Sequence, residues 1–280
     1  RKLSGPFGDE LIAGGFIQRF SIFSFFILPV YYQSTSKLIS KYLIPFFFII
    51  FFCGIVLSGN RMPTILFVFT ISLILIFNQQ TRKFFFPFII IFSILFILIF
   101  NLNSRVQMNF KIFYSQVSNI AVIMLNKDSS STNYPEYLKE FNSFYDTWLL
   151  NKYFGGGIKN FRYYCHVRPN IKENSDFVCN MHPHNYYLEI LTETGLVGLI
   201  ILIICFFLIL YKTFYKKYFM KSVLNYNNVI IPFMFLFISE IFPIKSTGSF
   251  FTTGNATYIF LIMAILIGLR NQDNLIEKKS

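Results

Sequence analysis

Two histidines, His182 and His184, flank Pro183 just before a long apolar run. His184 is followed by Asn185, then nine residues, then Gly195-Leu196-Val197-Gly198. An imidazole titrates near neutrality, so it can take a proton from a hydroxyl group at physiological pH. Arg61 stands in the polar turn 58–63 and Arg105 just past another apolar run. A guanidinium never loses its charge, and its planar fork grips phosphate oxygens in pairs. Glu189 and Glu193 are four apart and share one helix face. Carboxylates near a bilayer are costly and tend to be paired or functional. We take His184 and Glu193 as catalytic candidates, with Glu193 orienting His184 or an arginine. Arg61, Arg105, Asn185 and His182 are the substrate-binding candidates, His182 being positioned by Pro183. A base beside fixed positive charge suits attack by a hydroxyl on a sugar whose leaving group is a diphosphate. Arginines stabilise that leaving group without a metal ion. Each residue also has a plainer reading. Arg61 can anchor its turn to headgroups, Arg105 can snorkel from a helix end, and His184 can be an ordinary interfacial side chain. Gly195 and Gly198 can simply let helices pack closely. Glu240 is a further candidate without an assigned role.

These residues need a membrane around them. The chain has 280 residues, of which 54% are hydrophobic, 39 are Phe and only 14% are charged. A soluble chain carries about 25% charged residues. Apolar runs at 16–32, 42–57, 64–78, 84–100, 188–210, 229–243 and 256–269 approach the roughly 20 residues that cross a bilayer. The fold class is therefore an all-α membrane protein, a polytopic helical bundle with about seven transmembrane helices in one membrane domain, 1–280. The net charge of +12 falls in short loops beside apolar runs, which fits membrane orientation rather than a nucleic-acid surface. Eleven Lys and Arg lie in the loops of one side and four in the short loops of the other. The positive-inside rule puts the first side in the cytoplasm.

The long polar segment 101–187 is then external, and with it the two histidines. Within it, Tyr137, Phe141, Phe144, Trp148 and Leu149 recur at near-helical spacing, predicting a helix over 134–150 on the membrane surface or over a cleft. Gly155-Gly156-Gly157 stops it. Cys165 and Cys179 lie 14 positions apart in the same segment. An oxidising compartment favours a disulfide between them. The rival is a zinc site built from Cys165, His166, Cys179 and the His-x-His pair, although structural zinc ligands usually come as two close pairs. Cys53 and Cys205 lie in apolar runs and read as packing residues. The chain opens Arg1-Lys2-Leu3 without Met, which suggests the C-terminal part of a longer protein.

The pattern His184-Asn185, nine residues, Gly195-x-x-Gly198 resembles the signature of the O-antigen ligase and polymerase superfamily of bacterial membrane glycosyltransferases. Ser58-Gly59-Asn60-Arg61 is similar to that family's Ser-x-x-Arg turn. Asn151-Lys152-Tyr153-Phe154-Gly155-Gly156-Gly157-Ile158-Lys159-Asn160-Phe161 is similar to its Asn-Pro-x-x-Gly-x-Gly-x-x-Asn-Phe segment, with Lys152 in place of Pro. Leu3-Ser4-Gly5-Pro6-Phe7 also looks like a family segment. The resemblance implies a GT-C-like fold, no cofactor and no metal. It implies His184 as base and Arg61 and Arg105 on the diphosphate. The implied donor is an undecaprenyl-diphosphate-linked glycan, the acceptor lipid A core or another glycan, and the place the periplasmic face of the inner membrane.

Three reactions share this chemistry: ligation of a finished glycan to lipid A core, polymerisation of repeat units on the carrier, and glycosylation of a protein. The intact His-Asn motif inclines the reading to the ligase. A transporter without chemistry is the reading of a different class. It predicts charges or broken helices at mid-membrane.

Overall fold

The computed structural model describes residues 5–8, 12–31, 37–77, 81–126, 136–168, 179, 185–215, 230–245 and 248–277. Among the described residues there is no strand. The helices are α1 (Ala13–Tyr31), α2 (Lys37–Leu57), α3 (Arg61–Phe77), α4 (Phe85–Leu102), α5 (Ser104–Asn126), α6 (Glu136–Trp148), α7 (Phe161–Tyr164), α8 (Tyr186–Leu210), α9 (Ile230–Glu240) and α10 (Thr253–Glu277). Each of the seven apolar runs forms a helix. Among the described residues, three stretches are long and apolar enough to cross a bilayer: Arg82–Leu102, Tyr186–Tyr215 and Thr253–Gln272. Pro45–Leu57, α3 and α9 are shorter apolar helices.

The chain forms two compact units, residues 1–121 with 227–239, and residues 122–226 with 240–280. In the first, apolar side chains pack between helices: the tilted rings of Phe52 and Phe92 lie 4.2 Å apart between centroids, and those of Phe77 and Phe235 5.2 Å apart. Phe52, Ile55 and Phe67 are fully buried there. The second unit has a small core of Phe144, Phe161, Cys165 and Cys179, with Leu188 packed against it. Phe144 and Phe161 stack at 3.7 Å and 12°.

Two features go beyond the sequence reading. The first part of the polar segment carries a helix: α5 occupies Ser104–Asn126. Only Asn103 separates α4 from α5, and its Oδ1 accepts from the Arg105 and Val106 amides, capping the new helix. The signal was present. Val106, Phe110, Phe113, Val117, Ile120 and Met124 alternate at spacings of four and three, an apolar stripe at helical period. The second feature concerns α6. It forms almost where the spacing placed it, but it buries Ser143, Phe144 and Thr147 and leaves Phe141 and Tyr145 exposed. Small side chains on the buried line let α6 approach α8 closely. Thr147 turns its hydroxyl back to the Ser143 carbonyl at 2.7 Å, so it enters the contact with its polar group satisfied.

Candidate functional site

In the first unit the turn before α3 is held from within. Ser58 Oγ donates to the Ile55 carbonyl at 2.6 Å and accepts from the Asn60 amide and side chain. Asn60 is buried, so Arg61 begins α3 from a fixed platform. The Arg61 guanidinium reaches α5, where Nη1 donates to Gln116 Oε1 at 3.2 Å and the group lies 5.6 Å from the Phe113 ring centroid. Arg105, Asn109, Phe113 and Gln116 recur at spacings of four, four and three, hence along one face of α5. Arg105 is exposed and starts that face. It lies about 16 Å along the axis from Gln116, at 1.5 Å per residue. The two arginines thus share a helix face but do not meet on it.

In the second unit Asn185 is the N-cap of α8. Its Oδ1 accepts from the Tyr187 and Leu188 amides at 3.0 and 3.2 Å, and its Nδ2 donates to the Pro243 carbonyl at 2.6 Å. The first turn of α8 is tied to residues 240–250 by further polar bonds. Tyr186 Oη donates to Glu240 Oε1 at 3.1 Å, Tyr187 donates to the Ile241 carbonyl, and Lys245 pairs with Glu240. Glu189 accepts from the Ser249 hydroxyl and the Phe250 amide. Glu240, Lys245, Glu189 and Ser249 are all buried. Buried ions are tolerated when paired and hydrogen-bonded, as Glu240 and Lys245 are. This accounts for Glu240 as half of an internal ion pair.

Ten residues further on α8 breaks. Gly195 has φ 70° and ψ −170°, a conformation open to glycine alone. A straight helix would bond the Leu196 amide to the Thr192 carbonyl and the Val197 amide to the Glu193 carbonyl. Here the loop after α6 takes all four groups. The Gly156 and Gly157 amides donate to the Thr192 and Glu193 carbonyls at 3.0 and 2.9 Å. The Leu196 and Val197 amides donate to the Lys152 and Tyr153 carbonyls at 2.9 and 3.1 Å. Two helical bonds are exchanged for four bonds between segments. The backbones touch directly: a Cβ on Gly155 would lie 2.3 Å from the Glu193 carbonyl carbon, and one on Gly195 would lie 2.3 Å from that of Tyr153. Glu193 is 4% exposed. Its carboxylate accepts from the Lys159 amide, and among the described residues its Oε2 has no partner.

The disulfide forms between Cys165 and Cys179, with Cα atoms 5.5 Å apart. Both sulfurs are thereby withdrawn from metal binding, which removes the thiolates the zinc alternative requires. Arg168 Nη1 lies at 3.0 and 3.1 Å from the two sulfurs and also donates to the Cys165 carbonyl. Burial pushes its guanidinium below the ordinary value, and the charge of Asp146 opposes that shift. His182, Pro183 and His184 lie outside the described residues. His166 is exposed on the short turn Cys165–Val167.

The structure therefore places Asn185 and Glu189 of α8 against residues 240–250 and Glu193 against the glycine loop. Sequence reasoning missed Asn103, Gln116, Arg168, Lys245 and Ser249. An Asn just before a polar helix marks Asn103 as a cap, whereas Gln116 and Ser249 carry no sequence signal because their partners lie 55 and 60 residues away. Neither the curated proteins nor the solved structures yield a match to this chain. The O-antigen ligase family profile matches residues 46–203, from within α2 to the middle of α8, including the arginine turn, the glycine loop and the broken helix. That match spans more than half of the sequence, and the chain belongs to the O-antigen ligase family.

Proposed function

We propose that this protein transfers a glycan from undecaprenyl diphosphate to lipid A core on the periplasmic face of the inner membrane. A hydroxyl oxygen of the acceptor attacks the anomeric carbon. The bond from that carbon to the diphosphate oxygen breaks, and undecaprenyl diphosphate leaves with the electron pair. His184 takes the hydroxyl proton as general base. Arg61 holds the diphosphate and supplies charge that a metal ion would otherwise bring, and Arg105, about 16 Å away along the same face of α5, holds the donor further along. Gln116 and Phe113 keep Arg61 from wandering. Asn185 and Glu193 act as positioning residues in this reading, one capping α8 and the other holding the Lys159 turn.

The observation that carries the proposal is the Asn185 cap. It fixes the backbone directly after His184 against Pro243 at the entry of a membrane-length helix. A base must be held in place to be useful, and this is a rigid mount. The break at Gly195 also invites comparison with the broken helices of transporters, whose bare backbone groups coordinate ions or substrate. Here the backbone groups of the interrupted turn are taken up by residues 152–157. The break is a docking joint and offers no bare backbone to a cargo.

The test uses the full-length gene in a deletion strain, with gel separation of surface lipopolysaccharide. Wild type should restore long chains on core, and His184→Ala, expressed equally, should leave core alone with glycan retained on the carrier. Core bearing a single unit in the deletion strain would identify a polymerase instead. Wild-type behaviour of His184→Ala would remove the catalytic assignment.

A further inference from the structure

At the end of α8 remote from Asn185, the helix widens into a π-turn over Tyr211–Tyr215. Such turns often accompany binding sites. Thr213 satisfies the widened turn by returning its hydroxyl to the Ile209 and Leu210 carbonyls at 2.7 and 3.2 Å. Beside it lies a pocket of about 320 Å³ between the ends of α8 and α10. Leu208, Ile209 and Ile267 form its apolar wall, and Lys212, Arg270 and Asn271 its polar rim. The rim is doubly cationic, and the wall continues the apolar surface of two membrane-length helices.

Its depth is marked independently. Phe207, Tyr211 and Tyr215 stack in a ladder with centroids 6.1 and 4.9 Å apart, and Tyr211 and Tyr215 are 48% and 37% exposed. Exposed tyrosines at a helix end sit at headgroup level. Beyond the break at Gly195 the helix runs on from Leu196 to Tyr215, 20 residues and about 30 Å at 1.5 Å per residue. That is the thickness of the bilayer's hydrocarbon core. The pocket therefore belongs to the opposite leaflet from the proposed reaction.

We propose that this pocket binds an anionic glycerophospholipid of that leaflet. Lys212 and Arg270 take the phosphate, Asn271 donates to the headgroup, and Leu208, Ile209 and Ile267 receive the acyl chains. Basic pockets between helices at this depth are general sites for anionic headgroups. A soluble phosphate would use the rim but not the wall, and a zwitterionic lipid would use the wall and offer the same phosphate but set its own ammonium against the cationic rim.

Native mass spectrometry of the full-length, delipidated protein tests this, with phosphatidylglycerol and phosphatidylcholine of the same chains as probes. Wild type should prefer phosphatidylglycerol, and Lys212→Gln with Arg270→Gln should reduce that preference about 30-fold, by roughly 1 kcal/mol for each of the two lost charges near a membrane surface. The charge-keeping pair Lys212→Arg with Arg270→Lys should retain it, which separates lost charge from lost folding. No preference in wild type, or an equal preference in the glutamine variant, would overturn the proposal. Displacement of phosphatidylglycerol by millimolar inorganic phosphate would overturn the lipid assignment in favour of a soluble anion.

Discussion

Replacing Gly195 by alanine should release the 152–157 loop from α8. The residue sits at φ 70°, and the new methyl carbon would lie 2.3 Å from the carbonyl carbon and oxygen of Tyr153, both backbone atoms. Either the loop retreats or α8 straightens, and both break the four bonds between the segments. At about 1 kcal/mol each, roughly 4 kcal/mol is lost. Straightening regains two helical bonds, so the loop's hold weakens by about 2 kcal/mol. That corresponds to an approximately 30-fold larger undocked population. Hydrogen exchange of the purified full-length protein reads this directly. The Gly156 and Gly157 amides should exchange about 30-fold faster in the variant. Gly155→Ala meets the Glu193 carbonyl from the other side of the joint and should behave alike. Gly156→Ala meets only the Tyr164 ring, a side chain that can swing away, and should cost much less. Wild-type protection of Gly156 and Gly157 in both Gly155→Ala and Gly195→Ala would show that the joint is not what holds the loop.

Two further substitutions probe the parts around this joint. Asn185→Ala removes the cap on Tyr187 and Leu188 and the tie to Pro243, and should lower stability by about 1–2 kcal/mol. Asn185→Asp keeps the cap but lacks the donor, so its melting temperature should fall between the two. An aspartate variant no better than alanine would deny the cap its role. Phe144 is 1% exposed and stacked on Phe161, so Phe144→Ala should cost about 3–5 kcal/mol in thermal or denaturant unfolding. A loss below about 1 kcal/mol would mean that the small core is not what supports α6.

The apolar helices were legible because a bilayer demands long unbroken runs, and no second pattern competes with them in this sequence. α5 escaped because polar residues interrupt its apolar positions, so composition outweighed periodicity. The length of α6 was legible, but not the face it buries. Its large aromatics suggested one side, whereas close approach to α8 selected Ser143 and Thr147. At the site, residue types pointed to Arg61, Asn185 and Glu193, but their partners could not be read. Gln116 meets Arg61 across 55 residues, and Ser249 meets Glu189 across 60. The glycines were read as a helix stop and a packing motif. What they make possible is backbone touching backbone, which side-chain patterns do not encode.

That contact gives the spacing of the His-Asn and Gly-x-x-Gly motif a physical reason. Asn185 caps α8 and Gly195 breaks it ten residues later, about 15 Å along the axis. Between them the helix must face two ways: Tyr186 and Glu189 toward residues 240–250, Thr192 and Glu193 toward the glycine loop. One inserted residue would turn the cap about 100° against the break. Glu189 would then leave Ser249, or the Thr192 and Glu193 carbonyls would leave the Gly156 and Gly157 amides. The two motif segments are thus two sides of one joint. Their separation along α8 is a rotational constraint set by the loops on either side, and it holds whichever acceptor the glycan finally reaches.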